Sequence, residues 1–430
     1  MTRLLWFRRD LRLGDLPALL DAGADDAEVL ACYVLDPRLT ASAGPRREQF
    51  LYDSLRELRD ALDGRLLVTR GRPDTRIPAV AKAVGATAVH ISEEFTPFAQ
   101  ARDEKVAAAL GDIPLEKSGS AYLVSPGRVA KDDGSPYKVF TPYFRRWREH
   151  GWRAPAKTGP KSARWIDPAD VSGAGKNLDI PDPGTELPYP AGEKAARRRW
   201  KKFVDQGLDG YSADRNRPDL DATSRMSAYL HFGNIHPRTL AADLGTAEGP
   251  AAYLRELAFR DFYASVLAQW PRSAWWNFNS DFDAIEVDDD DESFTAWKEG
   301  RTGFPIVDAG MRQLSQSGFM HNRVRMITAS FLVKDLHLPW QWGAKWFLEQ
   351  LLDGDIASNQ HGWQWAAGCG TDAAPYFRVF NPDTQGKKFD PEQAYVRRWV
   401  PEFGTDEYPD PIVDHGAERA EALRRYNALS

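Results

Sequence analysis

The sequence predicts an α/β domain built on a parallel sheet over residues 1–130, a connection over 131–195 and an all-helical domain over 196–430. Three observations predict it. Up to about residue 130, short apolar runs alternate with amphipathic stretches, and the order strand, helix, strand, helix gives a parallel sheet covered on both faces. Between Gly151 and Glu193 lie seven prolines and no sustained periodicity, the composition of a connection between domains. Beyond Lys194, apolar residues recur at three- and four-residue spacing almost throughout.

Taken in order, Leu4–Phe7, Val29–Leu35, Leu66–Val68 and Ala86–Ile91 read as strands. Phe50, Leu51, Leu55, Leu58 and Leu62 form one helical stripe between the second and third. The sequence contains no Gly-x-Gly-x-x-Gly, so the usual dinucleotide reading of such a domain has no support. In the second half, Ala251–Trp270, Pro305–Ser317, Asn322–Leu336 and Gln341–Leu352 read as helices. The acidic run Glu286 to Glu292 reads as a solvated loop, and no internal repeat is visible.

Composition sets the class. With 430 residues, 42% hydrophobic and 27% charged, the chain is a globular protein of two or three domains. No apolar run approaches the roughly 18–20 residues needed to cross a bilayer. The amino terminus has only a four-residue apolar core flanked by charge, unlike a signal peptide. Cys32 and Cys369 are too few for a disulfide framework or a four-thiolate iron–sulfur cluster. A cytoplasmic, metal-free, monomeric protein without a membrane partner is expected. The formal charge of −6 argues mildly against general nucleic-acid affinity, although a local patch suffices. Basic clusters occur at Ala196–Lys202, Arg323/Arg325, Lys387/Lys388 and Arg397/Arg398, and each alone reads as a solvated helix face.

Several motifs carry chemistry. Thr223 and Ser224, with Ser227 beyond them, precede an apolar helix after Tyr211 and Arg215. They read either as an N-cap worth about 1 kcal/mol or as an anion site. On the next helix, Glu256, Phe259, Arg260 and Tyr263 share one face at i, i+3, i+4 and i+7, and two aromatics beside a Glu–Arg pair suggest a site wall rather than a surface ion pair. Asn322, Arg323 and Met326 open a further helix, where an exposed Arg and a core Met are the ordinary reading. Asp353-Gly-Asp355 leads into Asn359, Trp363 and Trp365. Ten of the fifteen tryptophans lie between Trp270 and Trp399, a density that core packing does not demand.

Together the runs Gly318 to Met326, Asp353 to Trp365 and Gly370 to Pro382, with Trp6 to Asp15 at the amino terminus, resemble the photolyase/cryptochrome family, nearest its class I members acting on cyclobutane pyrimidine dimers. The resemblance implies a Rossmann-like amino-terminal domain, a long linker and a helical FAD-binding domain. By the same resemblance, Tyr211, Arg215, Thr223, Ser224, Ser227 and Arg260 surround the FAD phosphates. Arg325 and Asp353 pair beside the flavin ring, Asp355 hydrogen-bonds it and Asn359 faces its N5. Glu256, Phe259, Asn322, Arg323, Met326 and Trp365 meet the DNA lesion, with Phe259 standing where the family usually has Trp. Trp363 and Trp340 match two members of an electron relay whose third place is taken by Val287.

In the amino domain, Leu16 replaces the family's usual Asn. Arg47, Glu94 and Phe98 are the candidates for an antenna pocket, holding a deazaflavin (8-HDF) or else FMN or a folate (MTHF). The activity implied is that of a deoxyribodipyrimidine photo-lyase, a carbon–carbon lyase in which excited reduced FAD donates an electron to a flipped-out dimer in DNA. A cryptochrome-type light receptor and a (6-4) photoproduct photolyase are the alternatives.

Overall fold

A computed structural model describes residues 1–372 and 378–429. The middle of the Gly370 to Pro382 run, residues 373–377, lies outside the described residues.

Five strands, β1 (Thr2–Phe7), β2 (Glu28–Leu35), β3 (Leu66–Arg70), β4 (Val89–Glu93) and β5 (Leu115–Ser120), form a parallel sheet in the order β3-β2-β1-β4-β5. The ladder pairs Leu4 with Leu30, Ala31 with Leu66 and Leu4 with Val89. Apolar side chains on both faces account for its burial. One face carries Leu4, Trp6, Cys32 and Ile91. The other carries Leu5, Phe7, Ala31 and Val68, whose apolar cluster continues into the helical part through Phe50, Tyr229 and Phe262.

The first three strands and the main helices fall where periodicity places them. The fourth begins at Val89 rather than Ala86, because its ladder with β1 starts at the Leu4–Val89 pair and residues 86–88 precede it. β5 has no counterpart in the sequence reading: Leu-Glu-Lys-Ser-Gly-Ser is an edge strand with a largely exposed face and no apolar run. The acidic run is a loop only as far as Asp290. That side chain accepts from Glu292 N at 3.0 Å and Ser293 N at 3.1 Å, capping the helix Asp291–Glu299.

Within 131–195 the chain is not featureless. It carries the helix Phe140–His150 and a short strand β6 (Arg164–Trp165) that pairs with β2. Beyond it, the helices Glu193–Gln206 and Glu248–Gln269 join the first cluster through Trp200, Phe203 and Phe262, while the helices Pro305–Ser317, Asn322–Lys334, Trp340–Gln350 and Ile356–Ala367 pack around a second apolar core containing Trp297, Val324, Phe347 and Trp363.

Residues 8–15, which leave β1 at the point where strand order reverses, join the sheet to the helices. Leu11 N donates to Phe232 O at 3.1 Å and Arg12 Nη1 to Gly233 O at 3.0 Å. Arg238 pairs with Asp15 at 2.7 Å. Gly233 has φ +68°, and a Cβ there would lie 2.1 Å from Arg9 O, so the close approach requires glycine. Among the described residues no helix is long and apolar enough to cross a membrane, and no His/Cys/Asp/Glu group could hold a metal ion.

Candidate functional site

The site is built on the turn before the helix Ile356–Ala367. Asp355 is its N-cap, accepting from Ser358 N at 3.0 Å. The same carboxylate accepts from Arg9 Nη2 at 2.7 Å across the junction with the sheet. Burial works against the Asp355 charge, but Arg9, Arg260 and His231 outweigh it and hold the carboxyl below the usual carboxylate range. Two residues earlier, Asp353 pairs with Arg325 at 2.9 and 3.2 Å, and Arg325 also donates to Met320 O at 2.8 Å. One turn on, Asn359 donates from Nδ2 to Ala344 O at 3.0 Å and to Gln360 Oε1 at 2.7 Å, which leaves its Oδ1 as an acceptor with no donor among the described residues.

The Tyr211 to Ser227 segment folds differently from the capping reading. The N-cap of the helix Ser227–Phe232 is Met226, and no side chain caps it. Ser224 is buried, with its Oγ 3.0 Å from Tyr253 OH and accepting Met226 N–H at 3.2 Å. Thr223 is half-buried and Ser227 exposed. The Thr223 and Ser224 carbonyls accept from Arg199 at 2.9 and 3.0 Å, which gives one arginine of the Ala196–Lys202 cluster a bracing role. Tyr211 packs edge-on to Tyr253, with the Arg215 guanidinium 5.6 Å above its ring.

Arg215 and Glu256, expected at the phosphates and at the lesion respectively, meet each other. Arg215 Nη1 lies 2.7 Å from Glu256 Oε1. The contact lacks hydrogen-bond directionality and counts as an ion pair. Burial raises the Glu256 carboxyl above its ordinary value, with Arg215 and Arg255 opposing. On the same helix face, Phe259 stacks on Phe140 with ring centroids 3.5 Å apart and planes at 6°. Arg255 lies over both rings, at 4.8 Å from Phe140 and 5.7 Å from Phe259. The smaller ring at 259 is therefore backed by a second phenyl. Arg260 is occupied by backbone: it donates to Ala121 O at 2.6 Å and Leu230 O at 3.3 Å, and lies 4.6 Å over Tyr122.

On the helix Asn322–Lys334, Asn322 is exposed and Met326 half-buried, so Met326 is not a core residue. Arg323 is braced, donating to Asn216 Oδ1 at 2.8 and 3.2 Å and lying 4.5 Å over Phe389. Trp365 is half-buried, 6.4 Å from Phe380. Trp363 is buried against Phe347 and Trp297, at 4.9 and 6.0 Å, and its Nε1 has no partner. A Cβ on Gly343 would lie 2.1 Å from the Trp363 ring, so glycine lets that indole rest on the helix Trp340–Gln350. Trp340 donates from Nε1 to Asn277 Oδ1 at 2.9 Å.

The antenna candidates do not share a contact. Arg47 bridges to the helical part through the carbonyls of Leu348 and Leu351. Glu94 pairs with Arg8 and Arg102 at 3.3 and 3.2 Å. Burial opposes its charge, yet Arg102, Arg8 and Arg9 hold it down to about 2. Phe98 lies under Arg38 at 5.0 Å. Sequence reasoning assigned no role to Arg9, His231, Asn216 or Phe140. Arg9 lies inside the Trp6 to Asp15 run and Asn216 stands beside Arg215, but nothing local marks Phe140.

Comparison with known proteins then decides the family. A family model described as "DNA photolyase" matches residues 3–161, and one described as "FAD binding domain of DNA photolyase" matches residues 253–405. A deoxyribodipyrimidine photo-lyase of Thermus thermophilus is 40% identical over 434 residues, covering 99% of this chain and 98% of its own.

The chain belongs to the DNA photolyase family. The Escherichia coli K12 deoxyribodipyrimidine photo-lyase is 37% identical, again covering 99% of this chain and 98% of its own. The class III photolyase of Agrobacterium tumefaciens superposes with a TM-score of 0.91 at 35% identity, covering 100% of this chain and 97% of its own. A Synechocystis cryptochrome reaches the same TM-score at 27% identity, covering 98% of each chain. This photolyase-family chain is an enzyme of the deoxyribodipyrimidine photo-lyase type, with an FAD-binding helical domain.

Proposed function

We propose that this photolyase reverses cyclobutane pyrimidine dimers in DNA under light, acting on a dimer flipped out of the duplex. A damaged, poorly stacked pair is the cheapest to extrude, at about a few kcal/mol, which contributes selectivity. The observation that carries the reading is Glu256: ion-paired to Arg215 at 2.7 Å, it shares a helix face with the Phe259–Phe140 stack. A carboxylate held by Arg215 can accept a hydrogen bond from a pyrimidine N–H, and the stacked phenyl rings offer a flat surface to the bases.

The residues present fit FAD. Two carboxylates paired with Arg9 and Arg325, the Asn359 acceptor and the hydroxyls of Thr223, Ser224 and Ser227 match a group with ring N–H donors and a pyrophosphate. Tyr211, Arg215, Thr223, Ser224, Ser227 and Arg260 would hold the phosphate side, and Arg325, Asp353, Asp355 and Asn359 the ring. When bound and reduced, FAD supplies the light-driven electron that opens the dimer and takes it back afterwards. The protein's work is placement and dryness. Asn322, Arg323, Met326 and Trp365 flank the lesion, and Trp340 and Trp363 pass electrons inward.

Repair of dimer-containing DNA by the illuminated, reduced holoenzyme, measured with wild type and Glu256→Ala, tests the reading. Loss of repair with flavin retained supports it. The likeness to a Synechocystis cryptochrome keeps a light-receptor role as the second reading, and no repair by a flavin-loaded protein would favour it. Repair of (6-4) photoproducts alone would favour the remaining alternative. A photolyase of Sulfolobus tokodaii, 29% identical with a TM-score of 0.88, is described with two FAD molecules and a novel light-harvesting cofactor. We infer an antenna here as well, a deazaflavin before FMN or a folate, near Glu94 and Phe98. Mass spectrometry of released chromophores decides its identity.

A further inference from the structure

Beside Trp340, a cavity of about 370 Å³ opens between the helix Trp340–Gln350, residues 276–287 and the helix His415–Asn427. Trp340, Trp276, Phe282, Val287 and Leu338 supply its apolar lining. Two of these are unusually bare: Trp276 is 58% and Val287 50% exposed. Apolar side chains gathered in a concavity with a polar rim mark a binding site more often than a structural wall. The volume lies at the low end of ligand pockets, about 300–1,000 Å³, and suits a molecule of one or two rings.

The charges of the lining specify the ligand. Arg425 is committed to Glu421 at 2.8 Å and to Asp288 at 2.9 and 3.2 Å. His337 is bonded to Glu418 at 2.8 Å, and Glu286 to Arg424 at 2.9 Å. Asp283, an exposed carboxylate, has a neutral partner, Asn277 Nδ2 at 2.7 Å, and among the described residues no cation pairs with it. The Asn277 amide also accepts from Trp340 Nε1 at 2.9 Å through Oδ1. One side chain thus holds the aromatic wall and the carboxylate in register.

We propose that this cavity binds a small, flat aromatic amine, with its ring against Trp340 and Trp276 and its ammonium group toward Asp283. The Arg272 guanidinium already lies over the Trp276 ring at 5.4 Å, so the choice of a cation rests on Asp283. The site owes its space to Val287, because a larger side chain at that rim position would fill it.

Calorimetric titration of the full-length protein with tryptamine, indole and indole-3-propionate tests the proposal, since these share a ring system and differ in charge. Tryptamine is expected to bind about fivefold more tightly than indole, the upper range for an exposed ion pair, and indole-3-propionate more weakly than either. Asp283→Asn should bring tryptamine to the level of indole. Val287→Trp should remove binding of both, and Trp276→Ala should weaken both, with melting curves confirming that each variant is folded. No tryptamine binding, equal affinity for tryptamine and indole-3-propionate, or binding that survives both Val287→Trp and Trp276→Ala in folded protein overturns the proposal. Repair does not enter these measurements, so failure here leaves the Glu256 reading untouched.

Discussion

Asp355 and Glu256 are carboxylates withdrawn from water at one site, yet their proton affinities move in opposite directions. Burial raises both. At Asp355 two arginines and a histidine converge from the sheet junction and from neighbouring helices, and the charged form wins. At Glu256 the direct partner is Arg215, whose pull does not cancel the burial. The two regions show that burial alone does not set a carboxyl's state. How far the neighbouring groups offset burial does: Arg9, Arg260 and His231 outweigh it at Asp355, whereas Arg215 and Arg255 do not at Glu256.

The largest effect is expected where the fixed anion is removed. Asp355→Asn leaves Arg9 without its countercharge, and breaking a buried pair from one side costs about 3–5 kcal/mol. Urea unfolding should show this as a lower midpoint, together with weaker flavin retention. An unchanged midpoint would break the comparison, because it would mean that the Arg9–Asp355 pair contributes nothing.

Next comes Glu256→Ala, which should reduce repair and lesion affinity by about 1–3 kcal/mol while flavin content stays nearly intact. Loss of flavin instead would assign Glu256, through Arg215, to the cofactor side. Phe259→Trp follows. The family resemblance predicts that the larger ring maintains or tightens lesion binding, and Phe140, stacked face to face at 3.5 Å, would back an indole as it backs the phenyl. A large loss of lesion affinity in binding titrations would show instead that the smaller ring is matched to its neighbours.

A pH series sharpens the contrast. Glu256 has a raised folded pKa, so the native state holds the extra proton between the unfolded and folded values. Stability is then greatest below the unfolded value and declines as pH rises through the folded one. Asp355 runs the other way: its contribution is present above the unfolded value and is lost only when pH falls through a folded value below the usual range. Glu256→Gln should therefore flatten the decline toward neutral pH, and Asp355→Asn should remove part of the acid-side loss. Denaturant midpoints across the acid-to-neutral range check both. The smallest effect is expected for Arg323→Ala. If Arg323 reaches a phosphate despite Asn216 and Phe389, the salt dependence of DNA binding should flatten by about one counterion. Altered stability with an unaltered slope would make it a brace.

Local patterns were legible in different degrees. The stripe from Phe50 to Leu62 and the helix Pro305–Ser317 could be read because each repeats at the helical period over several turns. β5 could not, since an edge strand needs no apolar run. The site residues were legible as contiguous runs that resemble a family. Their partners were not: Phe140 lies in a stretch read as a connection, and Asn216, although next to Arg215, carries no local sign that it holds Arg323 from 107 residues away.

By itself, the sequence determined the parallel strands, the helical half, the absence of a spanning segment and the family, because periodicity and motif are carried by residues close together along the chain. Only the tertiary structure decided that Arg9 meets Asp355 from 346 residues away, that Arg215 pairs with Glu256, and that Phe140 backs Phe259. It also decided which carboxyl holds its proton more tightly and which less. Proton affinity and stacking depend on neighbours in space and on the water they exclude, and no local pattern along the chain encodes either.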